Sequence, residues 1–166
     1  NHIVFLSVAG AADNKLVPHH AVEQHLMNGP KDWTILRPGF FAQNLKSAYR
    51  QDILEHDRIY VPAKEGNVAF IDLRDLGEIA ADILTSGPHH TGKTYTLTGP
   101  RAYTFFEVAD LLSQHLERTI KYTPASIPGY MYHLVVKRHL GLMQAIVQTV
   151  LHTGLRYGQA ETVDPT

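Results

Sequence analysis

The 166 residues suffice for one domain with a real core, and 44% apolar and 19% charged residues is ordinary globular composition. With 15 Lys plus Arg against 16 Asp plus Glu, the net charge of −1 gives no field that would hold nucleic acid or an anionic membrane. The absence of Cys excludes disulfides, thiolate metal sites and cysteine nucleophiles, and fits a cytoplasmic location.

The chain opens on Ile3-Val4-Phe5-Leu6, an unbroken apolar run that predicts a strand buried on both faces. Neither a Met nor a basic stretch precedes it, so it does not read as a signal peptide. Pro18 leads a helix over residues 19–28, with Val22 and Leu26 one turn apart and Gly29-Pro30 as its stop. Trp33 to Leu36 is the next strand, closed by Arg37-Pro38-Gly39. Phe40 to Glu55 reads as mostly helical. Two extended pieces, Arg58 to Pro62 and Val68 to Ile71, flank a turn at residues 64–67. Arg74 to Thr85 is a helix with Leu76, Ile79, Ala80, Ile83 and Leu84 on one stripe, and Asp72 is placed to cap it. Thr94 to Thr98 is a strand, and Thr104-Phe105-Phe106-Glu107 is a capping box that opens a helix to Glu117. Residues 120–123 are extended, and Ser126 opens an apolar stretch running to about Leu155, which reads as a lid or wall, or as a subunit contact, with a membrane-surface helix as the lesser alternative.

Alternating strands and helices predict an α/β fold with a parallel sheet and crossover helices. The first strand then belongs in the middle of the sheet, yet no strand precedes it here. Doubly wound sheets bind nucleotides at the carboxyl ends of their strands, with a Gly-rich loop at a helix N-terminus. The chain contains neither G-x-G-x-x-G nor G-x-x-x-x-G-K-[ST].

Six segments, in order and spacing, resemble the NmrA-like family, an atypical branch of the short-chain dehydrogenase/reductase superfamily. They are residues 3–7, 18–23, 33–44 (WTILRPGFFAQN), 70–75 (FIDLRD), 94–100 (TYTLTGP) and 104–109 (TFFEVA). The resemblance covers nearly the whole chain. It implies the C-terminal part of a Rossmann-type doubly wound parallel sheet with a small α/β substrate lobe. Residues 1–166 would form one incomplete domain, with the lobe drawn from about 40–72 and 120–166 and the dinucleotide loop encoded before Asn1. It implies NADP or NAD as cofactor and a small-molecule substrate, with no nucleic acid or membrane partner. A homodimer and a missing N-terminal segment both remain open as partners. The implied activity is NAD(P)H-dependent reduction of a small carbonyl, quinone or related compound; the alternative is an NAD(P)-sensing regulator without turnover.

The resemblance also nominates site residues. Ser7, at a strand's carboxyl end, stands where the superfamily places a Ser or Thr that meets a substrate carbonyl. His19 takes the place of the Lys in Tyr-x-x-x-Lys; here the pair reads Lys15-x-x-x-His19, so the phenol is absent. His19 shares a helix face with Glu23, whose carboxylate could orient the imidazole. Ser7 and His19 are thus the catalytic candidates. Ser7, Val8, Pro38, Gly39 and Phe40 would border the cofactor, and Phe41, Asn44, Phe70 and Ile71 the substrate. None of the 11 His stands three or four residues from another, which argues against a helical metal site. Lys137-Arg138-His139 reads as a solvated basic face rather than a phosphate grip.

Overall fold

The fold is described from a computed structural model over residues 2–163; Asn1 and residues 164–166, within the expected domain span, lie outside the described residues. The chain divides into two compact units. The first holds the residues up to Ala42 together with Ala69–Arg101, and the second Gln43–Val68 together with Ala102–Thr162.

In the first unit, β1 (His2–Leu6), β2 (Asp32–Pro38) and β6 (Lys93–Leu97) form an all-parallel sheet in the order β1-β2-β6. Leu6 lies opposite Leu36, and Pro38 opposite Leu97. The buried run Thr34-Ile35-Leu36 belongs to the centre strand, so burial on both faces, expected of Ile3–Leu6, is found in β2 instead. β1 does not take the central place expected of it. Among the described residues it is a margin strand, paired on one side only, with Ile3 37% and Leu6 47% exposed.

The expected helix from Phe40 is also corrected. Phe40 and Phe41 form β3 (Phe40–Phe41), parallel to Phe70 and Ile71 of β5 (Asn67–Ile71). A single 3₁₀ turn covers Ala42–Lys46, and the α-helix α2 begins only at Arg50 (Arg50–His56). Long-range ladder bonds override the local helical pattern here.

Helix α1 (Pro18–Met27) starts with Pro at its first turn, as expected, but its apolar pair is not its inner face. Val22 is 42% exposed, while Glu23 is fully buried. Helix α3 (Leu73–Thr85) is capped by Asp72, whose side chain accepts from the Arg74 amide at 2.8 Å. Its Leu76 and Ile83 join Leu36, Ile71 and Leu97 in one cluster, with Val4, Phe41, Ile79, Ala80 and Tyr95 packed around it. Each such side chain taken from water contributes about 1.5–3 kcal/mol.

In the second unit, β4 (Arg58–Ile59) pairs in parallel with β8 (Lys121–Tyr122), and the pairing runs on through Thr123 to Ile59 and Ala125 to Val61. α4 (Phe105–Leu116) opens with the expected capping box between Thr104 and Glu107. The apolar stretch after Ser126 breaks into α5 (Ile127–Tyr132), one π-helical turn over His133–Lys137, and α6 (Leu142–Gly154). Ile53, Ile59, Val61, Phe105, Tyr122, Tyr130, Leu134 and Leu155 are buried. Leu142, Met143, Val150 and Leu151 of α6 are exposed.

Candidate active site at the carboxyl end of the parallel sheet

Parallel strands present their carboxyl ends on one side, so the residues that follow β1 and β2 come together without further instruction from the sequence. The Ser7 amide donates to the Leu36 carbonyl at 2.7 Å, and the Ala9 amide to the Pro38 carbonyl at 3.0 Å. Ser7-Val8 therefore runs beside Arg37-Pro38. The Gly39 amide donates to the Leu97 carbonyl at 2.8 Å, which brings the end of β6 to the same place. A Cβ on Gly39 would stand 3.3 Å from the Ala69 carbonyl oxygen and 3.4 Å from the Thr98 methyl. That explains a small residue at this turn. The Phe40 ring meets Phe70 edge-on, with centroids 5.6 Å apart. Phe41 and Ile71, nominated for a substrate pocket, turn into the core cluster around Leu36. Asn44 belongs to the second unit, where its carbonyl accepts from the Tyr49 amide at 2.9 Å.

A charged group that the sequence reading assigned to another partner organises this end of the sheet. Glu23, from α1, reaches β1 and β2 at once. Its Oε1 accepts the Ser7 hydroxyl proton and the Arg37 Nε–H at 3.0 Å, and its Oε2 accepts from Arg37 Nη2 at 2.7 Å. Burial alone would push the Glu23 carboxyl up. The hydrogen bonds from Arg37 and Ser7 and the guanidinium charge outweigh it and hold the carboxyl below its ordinary value. Arg37 is raised correspondingly, first by its hydrogen bond to Glu23. An ionised carboxylate can only accept, so the proton of Ser7 is committed to Glu23.

The expected His19–Glu23 pairing is accordingly not made. His19 stands beside Phe5, ring centroids 6.2 Å apart, and its Nδ1 is buried without a hydrogen-bond partner. Its neighbour His20 donates from Nδ1 to the Ala11 carbonyl at 2.8 Å. Sequence reasoning missed the role of Arg37. The available signal was an arginine inside an otherwise apolar strand, since such a residue needs an acid partner.

Among the described residues no group of three or more His, Asp or Glu is placed to hold a metal ion, and no helix is long and apolar enough to cross a membrane.

No family model matches the chain. Among curated proteins it is 38% identical over 105 residues to an NAD(P)H azoreductase of Xenophilus azovorans, an alignment that spans 63% of this chain and 36% of that one. Among solved structures, an NADPH-dependent quinone oxidoreductase from Escherichia coli, complexed with NADPH, superposes with a TM-score of 0.85 at 24% identity, covering 97% of this chain and 57% of the other. NmrA, a negative transcriptional regulator in complex with NAD, superposes with a TM-score of 0.59 at 19% identity, covering 74% of this chain and 42% of the other. The chain thus spans about a third of the length of the azoreductase.

Proposed function

The chain has the fold and the sequence relatives of NmrA-like proteins, an atypical branch of the short-chain dehydrogenase/reductase superfamily, and from that premise we propose that it serves NAD(P)H-dependent reduction of a small, electron-poor organic molecule. The observation that carries this reading is the convergence of Ser7-Val8, Pro38-Gly39 and Leu97 at the carboxyl ends of adjacent parallel strands. That crevice is where this architecture presents a nicotinamide.

The residues fit one half of the cofactor. Gly39 leads directly into the Phe40–Phe70 ring pair, an apolar aromatic surface that suits a flat ring. The chain has no glycine-spaced loop to supply amide donors to a diphosphate. The nicotinamide end is therefore assigned to Ser7, Val8, Pro38, Gly39 and Phe40, and nothing here is assigned to the phosphates. When bound, the cofactor supplies the hydride.

What the protein contributes is placement. Glu23, by holding Ser7 and Arg37, fixes the ends of β1 and β2 beside one another and so sets the floor of the crevice. Ser7 acts as a positioning residue, since its proton is directed into Glu23. The phenol of the superfamily's Tyr-x-x-x-Lys is missing from the place that Lys15-x-x-x-His19 occupies. His19 stands in the place of the superfamily's Lys, and its buried Nδ1 has no hydrogen-bond partner among the described residues, which makes it the candidate proton donor. Such a site suits acceptors that take hydride readily without a strong acid beside them, such as quinones and azo compounds, better than unactivated ketones. The azoreductase and quinone oxidoreductase relatives support this choice of substrate class.

The test is NADPH consumption by the protein across quinones, azo dyes and simple aldehydes. Turnover on the first two with little on the aldehydes is expected. Absence of turnover across all three classes would overturn the proposal.

A further inference from the structure

The second unit contains a cavity of about 360 Å³ lined by Gln51, Asp52, His56, Arg58, His133, Lys137 and Arg138. Its lining is built from two distant parts of the chain, α2 with β4 and the π-helical turn with Arg138, which closes it. Three permanent cations face a single carboxylate, so the cavity carries an excess of two positive charges before either imidazole is counted.

Asp52 is already spent on its neighbours. Oδ1 accepts from Arg58 Nε at 3.1 Å, and Oδ2 lies 2.8 Å from His133 Nε2 and 3.7 Å from Arg138 Nη1. These contacts outweigh burial and hold its carboxyl below the ordinary value, so it stays ionised and acts as a fixed brace. Arg58 is held further by the Tyr60 ring, 4.5 Å beneath its guanidinium carbon. Arg138 is fixed by a 2.9 Å bond from Nη1 to the Ala48 carbonyl. Two guanidiniums are thus immobilised with donors to spare. Lys137 and the His56 ring have no partner among the described residues. An arrangement that orders some cations and leaves others unpaired around a space of molecular size is matched to an anion with several acceptor oxygens.

We propose that this cavity is a binding site for a phosphate group of a small molecule, with Lys137, His56 and the free edges of Arg58 and Arg138 as its donors and Asp52 as the brace that keeps the arginines in place. The Lys137-Arg138 pair, which looks like a solvated face in the sequence, lines this cavity together with His56 and Arg58 from the other part of the chain. The inference is independent of the reductase reading, which rests on the first unit.

The experiment is NMR titration of the histidine ring resonances of the full chain with inorganic phosphate, against sodium chloride at equal ionic strength. Phosphate should shift His56 and His133 saturably, and chloride should not. Lys137→Gln together with His56→Gln, both exposed positions, should weaken phosphate binding about tenfold, or about 1.4 kcal/mol, with the melting temperature unchanged. Phenyl phosphate and NADPH serve as competing arms: displacement by the first assigns the group to a phosphorylated small molecule, and by the second to the dinucleotide. Equal shifts with chloride, or full phosphate affinity in the double variant, would overturn the site.

Discussion

Glu23 of α1 and Arg37 of β2 form a two-pronged ion pair, 3.0 and 2.7 Å, and the carboxylate is fully buried where it meets Ser7 of β1. One side chain thereby joins a helix to the ends of two strands. Removing one member of a buried pair strands the other, at a cost of about 3–5 kcal/mol. Glu23→Ala should lower stability by that order in urea unfolding. Arg37→Lys should recover only part of it relative to Arg37→Ala, because an ammonium cannot reproduce the fork. Equal stability of Glu23→Ala and the parent would show that the pair does not hold the strands.

The second unit carries a buried hydrogen bond whose direction can be read. His152 Nδ1 lies 2.7 Å from the Gln148 carbonyl, so Nδ1 bears the proton and Nε2 accepts the Tyr49 hydroxyl at 2.6 Å. Tyr49→Phe removes this buried hydrogen bond and should cost about 1–3 kcal/mol. Thermal unfolding of the variant beside the parent checks it.

The same histidine sets a pH dependence. Burial lowers its proton affinity below the ordinary value of 6.5, so the unfolded chain binds a proton that the folded one refuses. The stability it provides is complete above about pH 6.5 and is lost as pH falls through the lowered folded value. Glu23, also lowered, adds a second loss on further acidification, below its ordinary 4.5. The melting temperature should therefore decline below about pH 6.5, and less steeply in the double variant Tyr49→Phe, His152→Leu. An unchanged slope in that variant would contradict the assignment.

Gly99 is fixed by packing rather than by conformation. A Cβ there would lie 2.1 Å from the Phe70 carbonyl oxygen, backbone against backbone. Gly99→Ala should push β5 aside and lower stability by about 1–3 kcal/mol. Chemical denaturation measures this. A variant as stable as the parent would mean that the strand can shift freely.

The features that could be read in advance are those governed by neighbours in sequence. The Asp72 cap, the Thr104–Glu107 box and the strand around Ile35 each depend on a few consecutive residues, and each is present. Phe40-Phe41 was misread as helix because its ladder partners, Phe70-Ile71, lie thirty residues on. The inner face of α1 was misread because a buried glutamate breaks the apolar rule unless its partners are known, and Arg37 lies 14 residues away on another element. The meeting of Ser7-Val8 with Pro38-Gly39 was foreseeable from parallel-strand geometry, whereas the commitment of the Ser7 proton to Glu23 was not.

In the proposed function, a nicotinamide seated at the ends of β1 and β2 passes its hydride to an electron-poor acceptor. This transfer is tested most directly with NADPH carrying deuterium at one face of C4, a quinone or azo acceptor, and mass analysis of the products. Deuterium should leave from one labelled face and be retained with the other, with the same stereochemistry for both acceptors. Oxidation of NADPH with no facial preference, or none above the uncatalysed rate, would contradict it.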